Sequence, residues 1–179
     1  KNINWNKIQV IFTALPNGEA QKVAKVLPHH AKLIDLSADF RLKDFKLYKK
    51  WYGINHKCKN LIDKSVYAVT EFSKNNLDKY KIISCPGCYP TSVQIPLIPL
   101  IKKKMINVKS IIIDSKSGYS GAGRGVHKKY ENKNLHESIS AYGVGFHKHN
   151  SEIQQELNQN TKKKVSFSFT PHLSPMFRG

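Results

Sequence analysis

The chain contains 179 residues, of which 40% are hydrophobic, a length and composition sufficient for one large domain or two small ones. No stretch approaches the about 20 consecutive apolar residues of a membrane span, and no signal segment opens the chain, so we expect a cytoplasmic protein without membrane partners. The three cysteines are an odd number, which argues against the disulfide framework of a secreted domain.

The net charge of +18 suggests nucleic-acid binding as one possible function. Lysines are nevertheless spread along the whole chain, and they form only short clusters at 102–104 and 162–164. No aromatic residues alternate with these clusters, as a stacking platform for bases requires. We therefore expect no nucleic-acid partner. A basic surface still attracts an anionic substrate or cofactor.

The first half of the sequence alternates strand and helix patterns. They are predicted in the order strand 8–14, helix 19–27, strand 32–36, helix 43–52 and strand 80–83. This alternation is typical of a parallel sheet with covering helices, which binds ligands beyond the carboxyl ends of its strands. The loops at 14–18 and 37–39 follow two such ends, so we expect them on the cofactor side. A structural ion pair between Asp39 and Arg41 is favoured over a ligand role for either.

Cys88 is the most informative residue of the chain. It ends the run Ser84-Cys85-Pro86-Gly87-Cys88, between a predicted strand and a stretch of helical spacing at 92–104. A cysteine in a first helical turn faces unpaired backbone N–H groups and the positive end of the helix dipole, which favour its thiolate. Pro86 and Gly87 permit a sharp turn. The pattern predicts a nucleophile, with a buried apolar cysteine as the alternative.

The spacing from Cys85 to Cys88 also matches a Cys-x-x-Cys motif, so a redox pair or half of a zinc site is a further alternative. The sequence has no second such motif and Cys58 is isolated, which excludes a four-cysteine zinc site. The position of the motif in the middle of the chain argues against a thioredoxin-like site. A disulfide between Cys85 and Cys88 under oxidising conditions stays open.

The pattern changes after residue 85 and predicts a second domain, giving domains 1–85 and 86–179. A buried strand at 110–114 runs into a Ser- and Gly-rich loop, whose backbone N–H groups suit an anion or a carboxamide. Arg124 lies in this loop and suits a bidentate grip on a carboxylate or phosphate, with a solvated surface arginine as the alternative. An alternating strand follows at 164–170.

Two histidines, His147 and His149, lie just before a predicted helix that Ser151 would cap. A thiol nucleophile needs an acid or base partner, and histidine is the usual one. A His-x-His pair also occurs in metal sites, but no third ligand is near in sequence, so we predict no metal. A structural role for either histidine is the remaining alternative.

Taken together, these motifs resemble the N-acetyl-gamma-glutamyl-phosphate reductases, a branch of the semialdehyde dehydrogenase group, from end to end of the chain. The matching runs are Ala14-Leu15-Pro16-Asn17-Gly18, Ile34-Asp35-Leu36-Ser37-Ala38-Asp39-Phe40-Arg41-Leu42, Pro86-Gly87-Cys88-Tyr89-Pro90-Thr91, Ser115-Lys116-Ser117-Gly118, His147-Lys148-His149 and Phe169-Thr170-Pro171-His172-Leu173. The resemblance implies an α/β fold, in which part of a Rossmann-like parallel-sheet domain precedes part of an α+β catalytic and dimerisation domain. It also implies an internal fragment, since the glycine-rich turn and the C-terminal part of the family are absent from this sequence.

The family chemistry implies that Cys88 attacks a small acyl phosphate, releases phosphate and forms a thioester that NADPH reduces to an aldehyde. His147 is the implied acid or base, and His149 is the second choice. The implied substrate-binding residues are Arg124, Tyr142, His149 and Glu152. The implied cofactor-binding residues, which contact NADP(H), are Ala14, Pro16, Gly18, Ser37, Ser117 and Gly118.

Other readings of the resemblance stay open. Aspartate-semialdehyde dehydrogenase shares the chemistry, although its motif around the nucleophile differs. A lysine-pathway reductase whose substrate is attached to an acidic carrier protein is closer, and the basic surface suits such a partner. An inactive fragment or a basic binding module is the non-enzymatic alternative. For the full-length protein, the resemblance implies a homo-oligomer.

Overall fold

The computed structural model describes residues 4–122 and 137–177. The chain divides into two compact units, Lys1–Pro96 with Ser151–Glu156 and Leu97–Asn150 with Leu157–Gly179. Each unit contains one β-sheet. Among the described residues, no helix has the length and hydrophobicity that crossing a bilayer requires.

The first unit is built on a parallel sheet of four strands in the order β1-β2-β4-β3. Its strands are β1 (Val10–Thr13), β2 (Lys32–Asp35), β3 (Ser65–Tyr67) and β4 (Ile82–Ser84), and its short helices are α1 (Glu19–Lys25), α2 (Phe45–Tyr52), α3 (Lys59–Ile62) and α4 (Thr70–Ser73). The register pairs Thr13 with Asp35, and Asp35 and Tyr67 with Ser84. The carboxyl ends of all four strands therefore lie along one edge.

Local sequence explains the bounds of α2. Asp44 accepts hydrogen bonds from the backbone N–H groups of Lys46 (2.7 Å) and Leu47 (3.4 Å), which caps the first turn. Gly53 ends the helix with φ of +74°, a left-handed conformation that glycine adopts without steric cost. The predicted helix at 43–52 is confirmed, shorter by the two residues that form the cap.

The core of the first unit lies between the sheet and α1. It consists of small and aliphatic side chains with one aromatic ring and one thiol: Ala24, Leu27, Ala31, Leu33, Phe40, Cys58 and Ile82. Burial alternates along β2, where Leu33 and Asp35 point inward. The parallel α/β arrangement predicted for this half of the chain is confirmed, and β3 is an additional strand that the sequence patterns did not predict.

The second unit contains a mixed sheet in the order β5-β7-β6. Strands β5 (Ile111–Gly118) and β7 (Phe167–Ser174) are parallel over eight residue pairs, and β6 (Ser140–Ala141) is antiparallel to β7. Both long strands extend further toward the C-terminus than predicted. The mixed sheet agrees with the expected α+β character.

Two longer helices, α5 (Cys88–Lys102) and α6 (His149–Gln159), begin earlier than predicted. In α5, Pro90 is compatible with the first turn, where a missing N–H costs nothing. In α6, the predicted cap by Ser151 is wrong because Ser151 lies within the helix, whose N-cap is Lys148. Before it, the carbonyl of His147 accepts the N–H of Asn150 (2.9 Å) and its Nδ1 accepts the N–H of His149 (3.2 Å).

Candidate active site

The turn before α5 presents Cys88 to solvent. Strand β4 ends at Ser84 and the helix begins at Cys88, so three residues make the connection. The Gly87 carbonyl accepts hydrogen bonds from the backbone N–H (3.0 Å) and the hydroxyl (2.8 Å) of Thr91, which closes the first turn. Cys88 therefore stands in the first turn of a well-formed helix, as the sequence predicted.

The three cysteines are free thiols in different surroundings. Cys58 is buried and its thiol donates to the carbonyl of Gln21, while Cys85 is half-buried and Cys88 is exposed. Burial raises the pKa of Cys58, and burial together with the nearby Asp35 raises the pKa of Cys85. Because the thiolate is the reactive form, Cys88 is the cysteine best placed to act as a nucleophile.

An ion pair lies behind this turn. The Arg41 guanidinium donates from Nη1 to Oε1 of Glu152 at 3.1 Å, and both side chains are buried. Arg41 also donates from Nε to the carbonyl of Cys85 (2.8 Å) and from Nη2 to the carbonyl of Leu36 (2.9 Å). The other oxygen of Glu152, Oε2, accepts the N–H of Gly87 at 3.1 Å.

Two tyrosines complete the surroundings of Glu152. The hydroxyl of Tyr67 donates to Oε2 at 3.2 Å, and that of Tyr52 lies 3.4 Å from Oε1. Burial and then the negative charge of Glu152 raise the pKa of both phenols, so they remain protonated donors. The side-chain amide of Gln94, on α5, donates to the Tyr67 hydroxyl at 2.7 Å.

The prediction that Asp39 pairs with Arg41 is wrong. Asp39 is buried and accepts hydrogen bonds from the N–H of Gly18 (2.7 Å), the N–H of Gln21 (3.2 Å) and the hydroxyl of Tyr48 (2.6 Å). These donors satisfy its carboxylate at the start of α1, whereas Arg41 extends to Glu152. Glu152 is more than a hundred residues away in sequence, so only the fold reveals this partner.

The predicted cofactor-side loops lie at the carboxyl edge of the parallel sheet. Ala14 and Pro16 are exposed after β1, and Gly18 opens α1 with φ of +92°. A Cβ on Gly18 would lie 3.3 Å from Cδ1 of Ile54. Ser37 is buried, and its hydroxyl donates to Asp35 at 2.9 Å.

A nicotinamide dinucleotide fits the carboxyl edge of this sheet. The exposed stretch from Ala14 to Asn17 leaves the edge open, which is where open parallel sheets bind nucleotides. No acidic side chain lies in this stretch to repel phosphate. The assignment of Ala14, Pro16, Gly18 and Ser37 to the cofactor stays a prediction from the sequence.

In the second unit, His147 is held among aromatic rings. Its ring contacts those of Tyr142, His149 and Phe169 edge-on, with centroid distances of 5.5, 4.7 and 5.6 Å. Gly143, with φ of +58°, packs against the ring, and a Cβ there would lie 3.3 Å from it. His147 is partly exposed, whereas His149 is buried.

The protonation of His147 follows from its contacts. Burial and then the charge of Lys148 lower its pKa to about 4. Its Nδ1 accepts the N–H of His149, so the proton of the neutral ring is on Nε2. The structure thus brings together Tyr142, His147 and His149 of the predicted site residues.

Ser117 and Gly118 end strand β5 in the same unit. The turn that follows is anchored to the end of β7, since Tyr119 N–H donates to the carbonyl of Met176 at 3.0 Å. Gly121 packs closely here, because a Cβ would lie 2.5 Å from the Ser117 hydroxyl and would force that side chain to move. The predicted substrate residue Arg124 lies outside the described residues.

The second unit also contains a cavity of about 550 Å³, lined by the end of α5 and by 106–109 and 160–163. It includes none of the predicted site residues. Within the described part of the chain, no three His, Cys, Asp or Glu side chains are grouped so that they could hold a metal ion.

Comparison with protein families agrees with the fold. The model described as "Semialdehyde dehydrogenase, NAD binding domain" matches residues 1–80, and "Semialdehyde dehydrogenase, dimerisation domain" matches residues 88–179. The chain belongs to the semialdehyde dehydrogenase family, whose NAD-binding region implies a nicotinamide cofactor.

Individual relatives are more specific. The chain is 45% identical, over its whole length, to a probable N-acetyl-gamma-glutamyl-phosphate reductase, chloroplastic, of Oryza sativa subsp. japonica, of which it covers 43%. It is 46% identical over 95% of its length to an N-acetyl-gamma-glutamyl-phosphate reductase of Desulforamulus reducens, of which it covers 49%. A reductase of that name from Afipia carboxidovorans is 44% identical over 99% of this chain, which covers 52% of it. The chain thus spans about half the length of the curated relatives it matches.

Proposed function

We propose that the protein to which this chain belongs reduces N-acetyl-gamma-glutamyl phosphate to N-acetylglutamate 5-semialdehyde with release of phosphate, a step of arginine biosynthesis. The observation that carries this proposal is Cys88, the exposed thiol in the first turn of α5. The names of relatives that are 42–46% identical over nearly the whole chain support the substrate.

The Cys88 thiolate attacks the acyl carbon, the bond from that carbon to the phosphate oxygen breaks, and a thioester remains on the sulfur. The bound nicotinamide, which we propose to be NADPH, supplies the hydride that reduces the thioester. The carbon–sulfur bond then breaks, the aldehyde leaves and the thiolate is regenerated. The N–H of Cys88 is assigned to the oxyanion in both steps, because the backbone N–H groups of a first helical turn have no acceptor within the helix.

His147 acts through Nε2 in this proposal. Its Nδ1 is occupied by the N–H of His149, and its pKa of about 4 keeps the ring neutral at pH 7. The Nε2–H group is therefore assigned as a hydrogen-bond donor to the oxyanion, since a neutral imidazole is too weak an acid to give up this proton. The same nitrogen cannot accept the proton of the thiol while it carries its hydrogen, so hydrogen-bond donation is the role that this tautomer supports best.

The remaining site assignments are proposals of the same kind. Substrate contacts are assigned to Arg124, Tyr142 and His149, and cofactor contacts to Ala14, Pro16, Gly18, Ser37, Ser117 and Gly118. The sequence also predicts Glu152 as a substrate contact, but its buried hydrogen bonds favour a different role. We also propose a domain boundary near residue 85 and a homo-oligomer formed through the region that matches the dimerisation domain.

The test is the reverse reaction of the full-length protein. Phosphate-dependent reduction of NADP by N-acetylglutamate 5-semialdehyde is followed by absorbance, with arsenate as an alternative acceptor. Cys88→Ser should reduce the rate below detection, whereas the matched variant Cys85→Ser should retain most of it. Full activity of Cys88→Ser would exclude the thioester mechanism.

A second candidate is a reductase whose acyl phosphate is attached to an acidic carrier protein, favoured by the net charge of +18. Activity with the carrier-linked substrate but not with the free semialdehyde would select this candidate. A preference for NAD over NADP in the same assay would correct the cofactor alone.

A further inference from the structure

We propose that the buried pair Arg41–Glu152 is a positioning device that fixes the turn presenting Cys88, and that Glu152 acts through this turn and not by contact with substrate. The kinetic part of this inference rests on the proposed function. The part that concerns the turn and its thiol does not.

The first argument is that protein donors occupy the carboxylate of Glu152. The side chain is fully buried, and it accepts hydrogen bonds from Arg41, Tyr52, Tyr67 and the N–H of Gly87. A buried carboxylate is stable only when its charge is paired and its oxygens accept hydrogen bonds. These donors meet that requirement without a ligand.

The second argument is where the pair attaches to the backbone. Arg41 binds the carbonyl of Cys85 at 2.8 Å, and Glu152 binds the N–H of Gly87 at 3.1 Å. The two peptide groups flank Pro86, and the two side chains bind each other at 3.1 Å. The turn is thus held at both of its ends by one ion pair, directly before the nucleophile.

The third argument is that the network reaches the helix as well as the turn. Tyr67 donates to Glu152 and accepts from Gln94, which lies six residues after Cys88 on α5. The N-terminal half of α5, through Gln94 and Tyr67, and the turn before it are therefore connected to the same carboxylate. A shift of about 1 Å in a reacting group can reduce turnover by about 10²-fold, so such fixation has a large kinetic effect.

The experiment compares Glu152→Gln, Arg41→Gln and the double variant in the full-length protein, with the exposed carboxylate Glu71 replaced by glutamine as a matched control. We expect each single substitution to lower kcat about 10²-fold while KM for the acyl phosphate changes less than threefold. Because the two residues act as one unit, the double variant should be no slower than the slower single variant. The Glu71→Gln control should match the unsubstituted protein.

A raised KM with unchanged kcat in Glu152→Gln would instead show direct substrate binding and overturn the proposal. A decrease in kcat of the double variant equal to the product of the two single decreases would overturn it as well. Tyr67→Phe removes one donor to Glu152 without leaving a buried charge unpaired, so it keeps the test valid where a charge variant fails to fold. We expect Tyr67→Phe to lower kcat three- to tenfold, and an unchanged kcat would count against the proposal.

Two measurements need no substrate and separate this inference from the proposed function. Hydrogen exchange of the Gly87 amide should accelerate at least tenfold in Tyr67→Phe relative to the Glu71→Gln control. The rate of Cys88 alkylation by iodoacetamide should change more than threefold. Unchanged exchange and alkylation would refute the positioning role, even in a protein that lacks the proposed reductase activity.

Discussion

The turn before Cys88 and the segment around His147 are held in place by different forces. The first is fixed by a buried ion pair, two tyrosine hydroxyls and backbone groups. The second is fixed mainly by the edges of aromatic rings and by one backbone N–H donated to an imidazole nitrogen. Charge-assisted hydrogen bonds fix direction strongly, but they leave a large penalty when one partner is lost.

The difference also shows in the charges that face each group. The Arg41 guanidinium pairs with the Glu152 carboxylate, whereas burial and the charge of Lys148 lower the pKa of His147. The predictions below test this contrast, beginning with the largest expected change in stability.

Replacement of Arg41 by methionine should destabilise the protein by about 3–5 kcal/mol, because it leaves the fully buried Glu152 carboxylate without its counter-charge. The measurement is the free energy of unfolding in urea at pH 7. Lys46→Met, at an exposed position of α2, is the control and should change stability by less than about 0.5 kcal/mol. A loss below about 1 kcal/mol for Arg41→Met would show that the pair is not what stabilises the turn.

Replacement of His147 by glutamine should weaken the dependence of stability on pH. In the unfolded chain His147 binds a proton near pH 6.5, but in the fold it does so near pH 4. Between these values the unfolded state holds more protons, so this histidine lowers the stability of the fold as pH falls. Urea unfolding at pH 7.5 and pH 5 should show a smaller difference for His147→Gln than for the unsubstituted protein.

The neighbouring exposed residue supplies the control for that measurement. Phe146→Leu changes no titratable group and should keep the original pH dependence. If the stability of His147→Gln depended on pH as strongly as that of the unsubstituted protein, His147 would have the same pKa in the folded and unfolded states.

The smallest expected change in stability is that of Cys85→Ser, a nearly isosteric substitution at a half-buried position. Its informative effect is on oxidation. Mild oxidation of the unsubstituted protein should form a Cys85–Cys88 disulfide and so block alkylation of Cys88. Addition of a reductant should restore the alkylation of Cys88. In Cys85→Ser this reversible loss should disappear, and its persistence would place the oxidation elsewhere.

Much of the framework of the fold follows from the sequence patterns. Apolar runs predicted β1, β2, β4, β5 and β7 and the helices α1, α2, α5 and α6. They also placed Cys88 at the start of a helix and the cofactor-side loops at strand ends. The short elements β3, β6, α3 and α4 were not predicted, whereas the equally short β4 was, because it continues the apolar run 80–83 before the turn.

The pairing of the polar residues does not follow from the sequence patterns. Asp39 and Arg41 are two residues apart and suggested an ion pair, yet Asp39 binds the start of α1 and Arg41 binds Glu152. The start of α6 at His149 likewise depends on an imidazole acceptor that no capping pattern contains. Periodicity encodes which face of an element is buried, while the partner of a buried charge is chosen by long-range geometry and by the cost of leaving that charge unsatisfied.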